Sequence, residues 1–362
     1  MIPIVKTNLP DKKILMPELE KILYSGYVAQ GQQVEDFERA FEKFIGSGYS
    51  LSLNSGTAAL HIALILAGVK AKDEVISTAL TAEPTNVAIK MLGAKIRYAD
   101  IDYETGNILP DSIEENINKK TRAIMVVDYA GIPVNVPAIK KISAKYNLPV
   151  IQDSSHALGS KFNGIKTGSH FPYTVFSFQA IKQLTTIDGG MLQIQSKDEY
   201  EKAKLIRWFG IDKSKTRLEN NIQFQGYKYH MNNVNATIGL IQMDGINSIL
   251  NSHIENGKYF DNHLKNAKNI ELIKYYQGSE PAYWLYTLKV ENREGFIRKM
   301  AEIDVMASEL HRRNDWHSFL NDYNQTLPNL DKFYSRMVHI PCGSWLKPDD
   351  RELIIETINK GW

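Results

Sequence analysis

Val34, Phe37, Phe41 and Phe44 recur at helical spacing with charged residues between them, and predict an amphipathic helix near the start of the chain. A short helix over residues 19–24 and the glycine-punctuated loop Gly26-Tyr27-Val28-Ala29-Gln30-Gly31 precede it. From Leu51 the pattern changes. Leu51-Ser52-Leu53 reads as a strand, Asn54-Ser55-Gly56-Thr57 as a small polar turn, and Leu60, Ala63, Leu64 and Ala67 as the apolar face of a helix that Gly68 stops. Strands over 74–77, 95–98, 123–127 and 149–153 then alternate with helical stretches ending near Gly93 and spanning 110–118 and 136–146. Such βα alternation predicts an α/β fold with a mostly parallel central sheet covered by helices on both faces. Further on, an apolar strand (Val175 to Phe178) leads to a turn carrying Lys182, then Asp188-Gly189-Gly190 and a second strand. Residues 210–225 read as a polar loop, and the residues after Asn233 as a long helix. A boundary is expected near residue 246, which divides the chain into a large domain (1–245) and a smaller C-terminal α+β domain (246–362). The latter holds a strand over 283–290, a helix over 295–302 and a last helix opened by Pro348-Asp349-Asp350. Trp284 and Tyr286 read as core aromatics of that unit.

Composition narrows the function classes. The 362 residues carry 43 Lys+Arg against 41 Asp+Glu, so no basic surplus argues for nucleic acid. The single cysteine, Cys342, excludes an internal disulfide and a multi-cysteine metal site, and fits a reducing cytoplasm. No run of about 18 apolar residues argues for a membrane span, and the first residues lack the pattern of a secretory leader. No metal site is expected.

The candidate chemistry lies at strand ends, where open α/β sheets collect ligands. A lysine between buried strands is costly unless its charge is lost or used, and a desolvated amine can form a Schiff base with an aldehyde. Ser55-Gly56-Thr57 stands at a helix N-terminus, where free N–H groups, hydroxyls and the dipole favour either a simple cap or an anion such as phosphate. Asp153 ends an apolar strand and is followed by small residues. It reads as a capping carboxylate or as one that holds a proton on a heteroaromatic nitrogen. His156 lies three residues on, and Asp128 and Tyr129 end the neighbouring strand.

Taken together and in order, Asn54-Ser55-Gly56-Thr57-Ala58-Ala59-Leu60, Val150-Ile151-Gln152-Asp153-Ser154-Ser155-His156, Phe176-Ser177-Phe178 with Lys182 and Asp188-Gly189-Gly190, and Gly226-Tyr227-Lys228-Tyr229-His230-Met231 resemble the DegT/DnrJ/EryC1/StrS sugar aminotransferases. These are fold-type I enzymes dependent on pyridoxal 5'-phosphate (PLP). The resemblance implies that Lys182 bonds to the cofactor and shuttles a proton, Asp153 pairs with the pyridine nitrogen, and His156 sits by the ring. It implies that Ser55, Gly56, Thr57 and Ser177 hold the phosphate, and that Lys228 reaches a neighbouring subunit's phosphate from a place where the family usually has asparagine. A homodimer with shared sites follows, with L-glutamate as donor and a nucleotide-linked, 4-keto-6-deoxy sugar as acceptor, in aminodeoxysugar and glycan biosynthesis. His230, Arg312 and Arg313 are candidates for the substrate's diphosphate.

The chain departs from the family at Gln179, at Ile187-Asp188 where Gly-Glu is usual, and at Ala82, where an aromatic commonly stacks on the ring. Other readings are amination of a small phosphorylated ketone, or a non-catalytic regulatory or scaffold dimer of the same fold. Lys182 argues for transamination over dehydration, since a relative that dehydrates carries histidine there.

Overall fold

The computed structural model describes residues 1–362. Its strands are β1 (Tyr49–Leu53), β2 (Glu74–Ser77), β3 (Lys95–Tyr98), β4 (Thr121–Val127), β5 (Val150–Asp153), β6 (Lys161–Phe162), β7 (Ile165–Lys166), β8 (Tyr173–Ser177), β9 (Gly190–Ile194), β10 (Ile270–Leu272), β11 (Ser279–Glu280), β12 (Tyr286–Val290) and β13 (Met337–Ile340). Seven form the central sheet in the order β1-β9-β8-β5-β4-β2-β3. Only β9 runs against the others, pairing antiparallel with both β1 and β8. The near-continuous apolar runs of β4 and β5 are what a sheet covered on both faces demands, and nearly every residue of the two is buried.

The helices supply that cover. The amphipathic helix Gln32–Ile45 buries Val34, Phe37, Phe41 and Ile45. Phe37 meets Phe178 edge-on at 5.4 Å, and Phe41 meets Phe176 at 5.2 Å. Helix Gly56–Leu66 is buried along most of its length, as an apolar helix lodged in the interior must be. The expected helix over 19–24 is longer, Lys12–Leu23, because Asp11 caps it from further upstream by accepting from the Lys13 amide. Pro17 stands inside it. Two helices left undescribed by periodicity, Lys197–Arg207 and Pro328–Arg336, complete the layers.

The long helix runs unbroken from Asn233 to Leu264, so the expected boundary at 246 falls within one element. Beyond it, β10, β12 and β13 form a second, antiparallel sheet. A third small sheet joins the hairpin β6-β7 to β11.

One buried ion pair fixes the edge of the sheet beside the site. Arg207 donates to Glu38 at 2.6 Å, with both side chains less than a tenth exposed. The same Glu38 oxygen accepts from the Ser52 amide and hydroxyl at 2.9 and 2.7 Å. Removing one partner would leave the other charge buried and alone. Arg207→Ala is therefore expected to cost about 3–5 kcal/mol, read as a lower midpoint in urea unfolding.

Candidate active site

The carboxyl ends of β1, β2, β4, β5 and β8 meet the start of β9 on one side of the sheet, and a cleft of about 390 Å³ opens there. Ser55, Thr57, Ala82, Thr85, Asp153, His156, Ser177, Lys182, Asp188 and His311 are among the residues that line it. A larger groove of about 1010 Å³ lies between helices 32–45 and 197–207 and contains none of these groups.

The turn after β1 is built as an anion cradle. Ser55 caps the helix by accepting from the Ala58 amide at 3.1 Å, and Gly56 opens the first turn. The backbone here is crowded. A Cβ on Gly56 would lie 3.1 Å from the Ser177 Cβ, and one on Gly190 would strike the Ser55 carbonyl oxygen at 2.5 Å. Glycine at these two positions thus lets the ends of β1, β8 and β9 close around the helix N-terminus, whose free amides and dipole attract phosphate.

Asp153 is set at the end of β5 with its carboxylate well supported. Oδ1 accepts from the Ser155 amide and hydroxyl at 3.1 and 2.6 Å, and Oδ2 accepts from the Thr85 hydroxyl at 2.7 Å. Thr85 spends its proton on Asp153, so Thr81, 2.8 Å away, donates to Thr85 in turn. Asp128 lies buried behind Asp153, held by Ser154, Gln152 and the Val134 amide, and burial pushes its pKa up to about 6. Tyr129 points away, its hydroxyl 2.9 Å from His339 Nε2 on β13.

Lys182 projects into the cleft from a tight turn closed by its own amide on the Gln179 carbonyl at 2.9 Å. Its amine makes no hydrogen bond or ion pair to another residue. Burial lowers its pKa to about 7, against a smaller upward pull from Asp153. His156, also buried, is held well below its usual pKa, first by burial and then by the nearby Lys182 ammonium, with the neighbouring imidazoles of His311 and His339 acting in the same direction. It is therefore a neutral imidazole whose Nδ1 has no partner within the protein. Beyond the lysine, Ile187 takes a left-handed backbone, with φ of +70°. A β-branched residue there carries strain, on the order of 1–2 kcal/mol, that the family's usual glycine avoids.

Of the expected site residues, Ser55, Gly56, Thr57, Asp153, His156, Ser177 and Lys182 converge on the cleft. The expected cations do not. Arg313 is 4% exposed, with its guanidinium forked onto Asp315 at 2.7 and 2.7 Å and a further nitrogen on Asp331. It ties the 311–317 segment to helix 328–336, with each guanidinium nitrogen donating to a carboxylate. Arg312 is exposed outside the cleft beside Trp316, and His230 packs edge-on against Trp208 at 4.2 Å. Lys228 is also outside its own chain's cleft, though its carbonyl accepts from the Asn54 side chain, next to the cradle.

Besides Thr85, two residues of the site escaped the sequence reading. His311 lines the cleft with its ring 6.0 Å from that of His156 and tilted only 7°, and its Nε2 is unpartnered. Trp284 is buried as expected of a core aromatic, but against the catalytic groups: Lys182 Nζ stands 3.8 Å from its ring centroid. The alternation of residues 283–290 gave no sign of which neighbour the indole would meet. Ala82 does line the cleft, and no Phe, Tyr or Trp does so in the usual stacking place.

A free amine of lowered pKa, an anion cradle, a fixed carboxylate and an unpartnered buried imidazole suit a phosphorylated pyridine aldehyde. Comparison with known proteins agrees. The model of the DegT/DnrJ/EryC1/StrS aminotransferase family matches residues 11–359. A UDP-4-amino-4,6-dideoxy-N-acetyl-beta-L-altrosamine transaminase of Campylobacter jejuni is 31% identical over 352 residues, covering 94% of this chain and 92% of that protein. AtS13 from Actinomadura melliaura superposes with a TM-score of 0.97 at 37% identity, covering 100% of this chain and 99% of the other. The sugar aminotransferase CalS13 from Micromonospora echinospora does so with a TM-score of 0.96 at 35% identity, covering 100% of both. With its fold, its lysine and its strand-end carboxylate all in the expected order, the chain belongs to the DegT/DnrJ/EryC1/StrS family of PLP-dependent aminotransferases.

Proposed function

We propose that the protein moves an amino group from L-glutamate to the keto group of a nucleotide-linked sugar, a 4-keto-6-deoxyhexose being the favoured class, for aminodeoxysugar and glycan biosynthesis. The observation that carries the reading is the Lys182 amine, free of any ion pair and with a pKa near neutrality, in the same cleft as Asp153. The similarity to a transaminase named for a UDP-linked dideoxy sugar supports the acceptor class. A scaffold would have no physical need for both groups, and a small phosphorylated ketone would leave that similarity without a cause.

PLP supplies an aldehyde for the lysine and a protonated ring that withdraws electrons from the substrate carbon. The chain's own residues do the rest. The helix N-terminus with Ser55, Thr57 and Ser177 holds the phosphate. Asp153, kept in place by Thr85 and Ser155, holds the proton on the ring nitrogen. Lys182 would carry a proton between the substrate carbon and the cofactor's aldehyde carbon, a task suited to a group whose pKa lies near the working pH. His156 and His311 stay neutral, so they add no charge that would compete for the phosphate.

Residues 1–245 then form the cofactor-binding unit, while residues 246–362 form the smaller one and contribute Trp284 and His311. We assign the enzyme to a homodimer, in which the exposed Lys228 and the neighbouring His230 serve the other subunit's cleft. The cytoplasm is the fitting compartment for such donor and acceptor. No helix is long and apolar enough to cross a membrane.

The test is spectroscopic. Purified protein given PLP should gain visible absorption, and L-glutamate should bleach it; added keto sugars on nucleotide carriers should then restore it, and small phosphorylated ketones should not. Absorption that glutamate leaves untouched would sink the donor assignment, and restoration only by the small ketones would sink the acceptor assignment.

A further inference from the structure

Trp284 enters the site from the chain just ahead of β12, in the C-terminal part of the sequence, and is 1% exposed. Three contacts fix its place. Its Nε1 donates to the Ile181 carbonyl at 3.1 Å, so the indole is keyed to the residue before the lysine. His156 stacks on it with centroids 4.0 Å apart and planes 27° from parallel. Lys182 Nζ lies 3.8 Å from its centroid. The amine has no acceptor oxygen within hydrogen-bonding reach, so the indole face is its principal polar partner.

We propose that Trp284 is a positioning residue for amino transfer: its indole face is the resting platform of Lys182 whenever the amine is free, and it holds His156 in plane beside it. An ion pair in that place would grip the ammonium and resist its return to the neutral base. A neutral aromatic face attracts the ammonium more weakly. The lysine can therefore take up one proton from the substrate carbon, rest as an ammonium over the ring, and give the same proton up without leaving the cleft. The other titratable groups lining the cleft are Asp153 at the end of β5, Glu83 at the start of the helix after β2, Asp188 in the turn before β9, and the neutral His156 and His311. None of them makes a hydrogen bond to it. The proposal rests on Lys182 being the proton carrier, as read above.

Trp284→Leu keeps the place apolar and removes the ring; Trp284→Phe keeps a smaller ring. The first measurement uses protein stripped of PLP. Lys182 is acylated with acetic anhydride over a pH series, and its reactivity is followed by peptide mass spectrometry. Wild type should titrate near 7. Loss of the indole should lower that midpoint by about half to one and a half units, because the ammonium loses its attraction, and Trp284→Phe should fall between. The second measurement is the half-reaction of PLP-loaded protein with α-deuterated L-glutamate. Its isotope effect should rise in Trp284→Leu and return towards wild type in Trp284→Phe.

A folded Trp284→Leu with the wild-type midpoint and isotope effect overturns the proposal while leaving the lysine's role intact. Should that variant not fold, Trp284→Phe decides: a smaller shift in the same direction supports the platform, and none overturns it. A Lys182→Ala control that still completes the half-reaction overturns the lysine reading, and the platform with it.

Discussion

Lys182→Ala should abolish the visible absorption gained with PLP and lower the rate of the glutamate half-reaction by about 10²–10⁴-fold or more, the span usual for loss of a positioned acid–base group. The expectation rests on the isolation of this amine. It has no carboxylate or hydroxyl within reach to stand in for it, and the neighbouring His156 and His311 are held neutral and far below their ordinary pKa. Arginine in the same place would keep a charge but could not deprotonate near neutral pH, so Lys182→Arg should be as inactive as alanine. Stopped-flow absorbance during mixing with L-glutamate measures both. An alanine variant within tenfold of wild type would remove Lys182 from the chemistry.

Asp153→Asn should weaken PLP binding by about 10- to 150-fold, the worth of one hydrogen bond to a charged group. The substitution keeps volume and shape, yet it spoils the pairing on both sides. The Thr85 hydroxyl and the Ser155 amide and hydroxyl all donate to this carboxylate, so an amide NH2 turned towards them would meet donors. Turned into the cleft, it would meet a protonated ring nitrogen, another donor. Equilibrium dialysis against PLP gives the affinity. The half-reaction should slow as well, because a ring that loses its proton withdraws electrons less well. Unchanged affinity and rate would show that Asp153 is a capping carboxylate and nothing more.

The parts of this protein legible from sequence were those whose partners lie within a few residues or recur with a regular period. The βα alternation, the helix cap at Ser55 and the strand-end position of Asp153 are of that kind. The lysine turn was conspicuous because a charge between apolar strands demands an explanation. What stayed hidden depended on partners distant in sequence. Arg313 looked like a free cation, and its charge is spent on Asp315 and, through a helix that periodicity did not reveal, on Asp331. Trp284 looked like filling for the small unit. Its close neighbour Tyr286 is such filling, with its hydroxyl on Asp261, whereas Trp284 reaches the lysine. The signal available was weak: an indole beside a strand start needs a partner for its N–H, and the carbonyl it finds, that of Ile181, belongs to the lysine turn.

The lone reversed strand of the sheet has a consequence for how the chain matures. β1, which carries the phosphate cradle at its end, touches no other strand of the sheet than β9. A nascent chain can therefore assemble β2 to β5 and their helices while β1 is still unpaired. The cradle closes only when Gly190 arrives opposite Leu53, bringing the lysine turn with it. Contacts so far apart along the chain form late because the loop between them must first be closed. The phosphate cradle and the lysine turn should thus come together abruptly during synthesis, once β9 has emerged, while Trp284 and His311 complete the cleft only after the rest of the chain has followed.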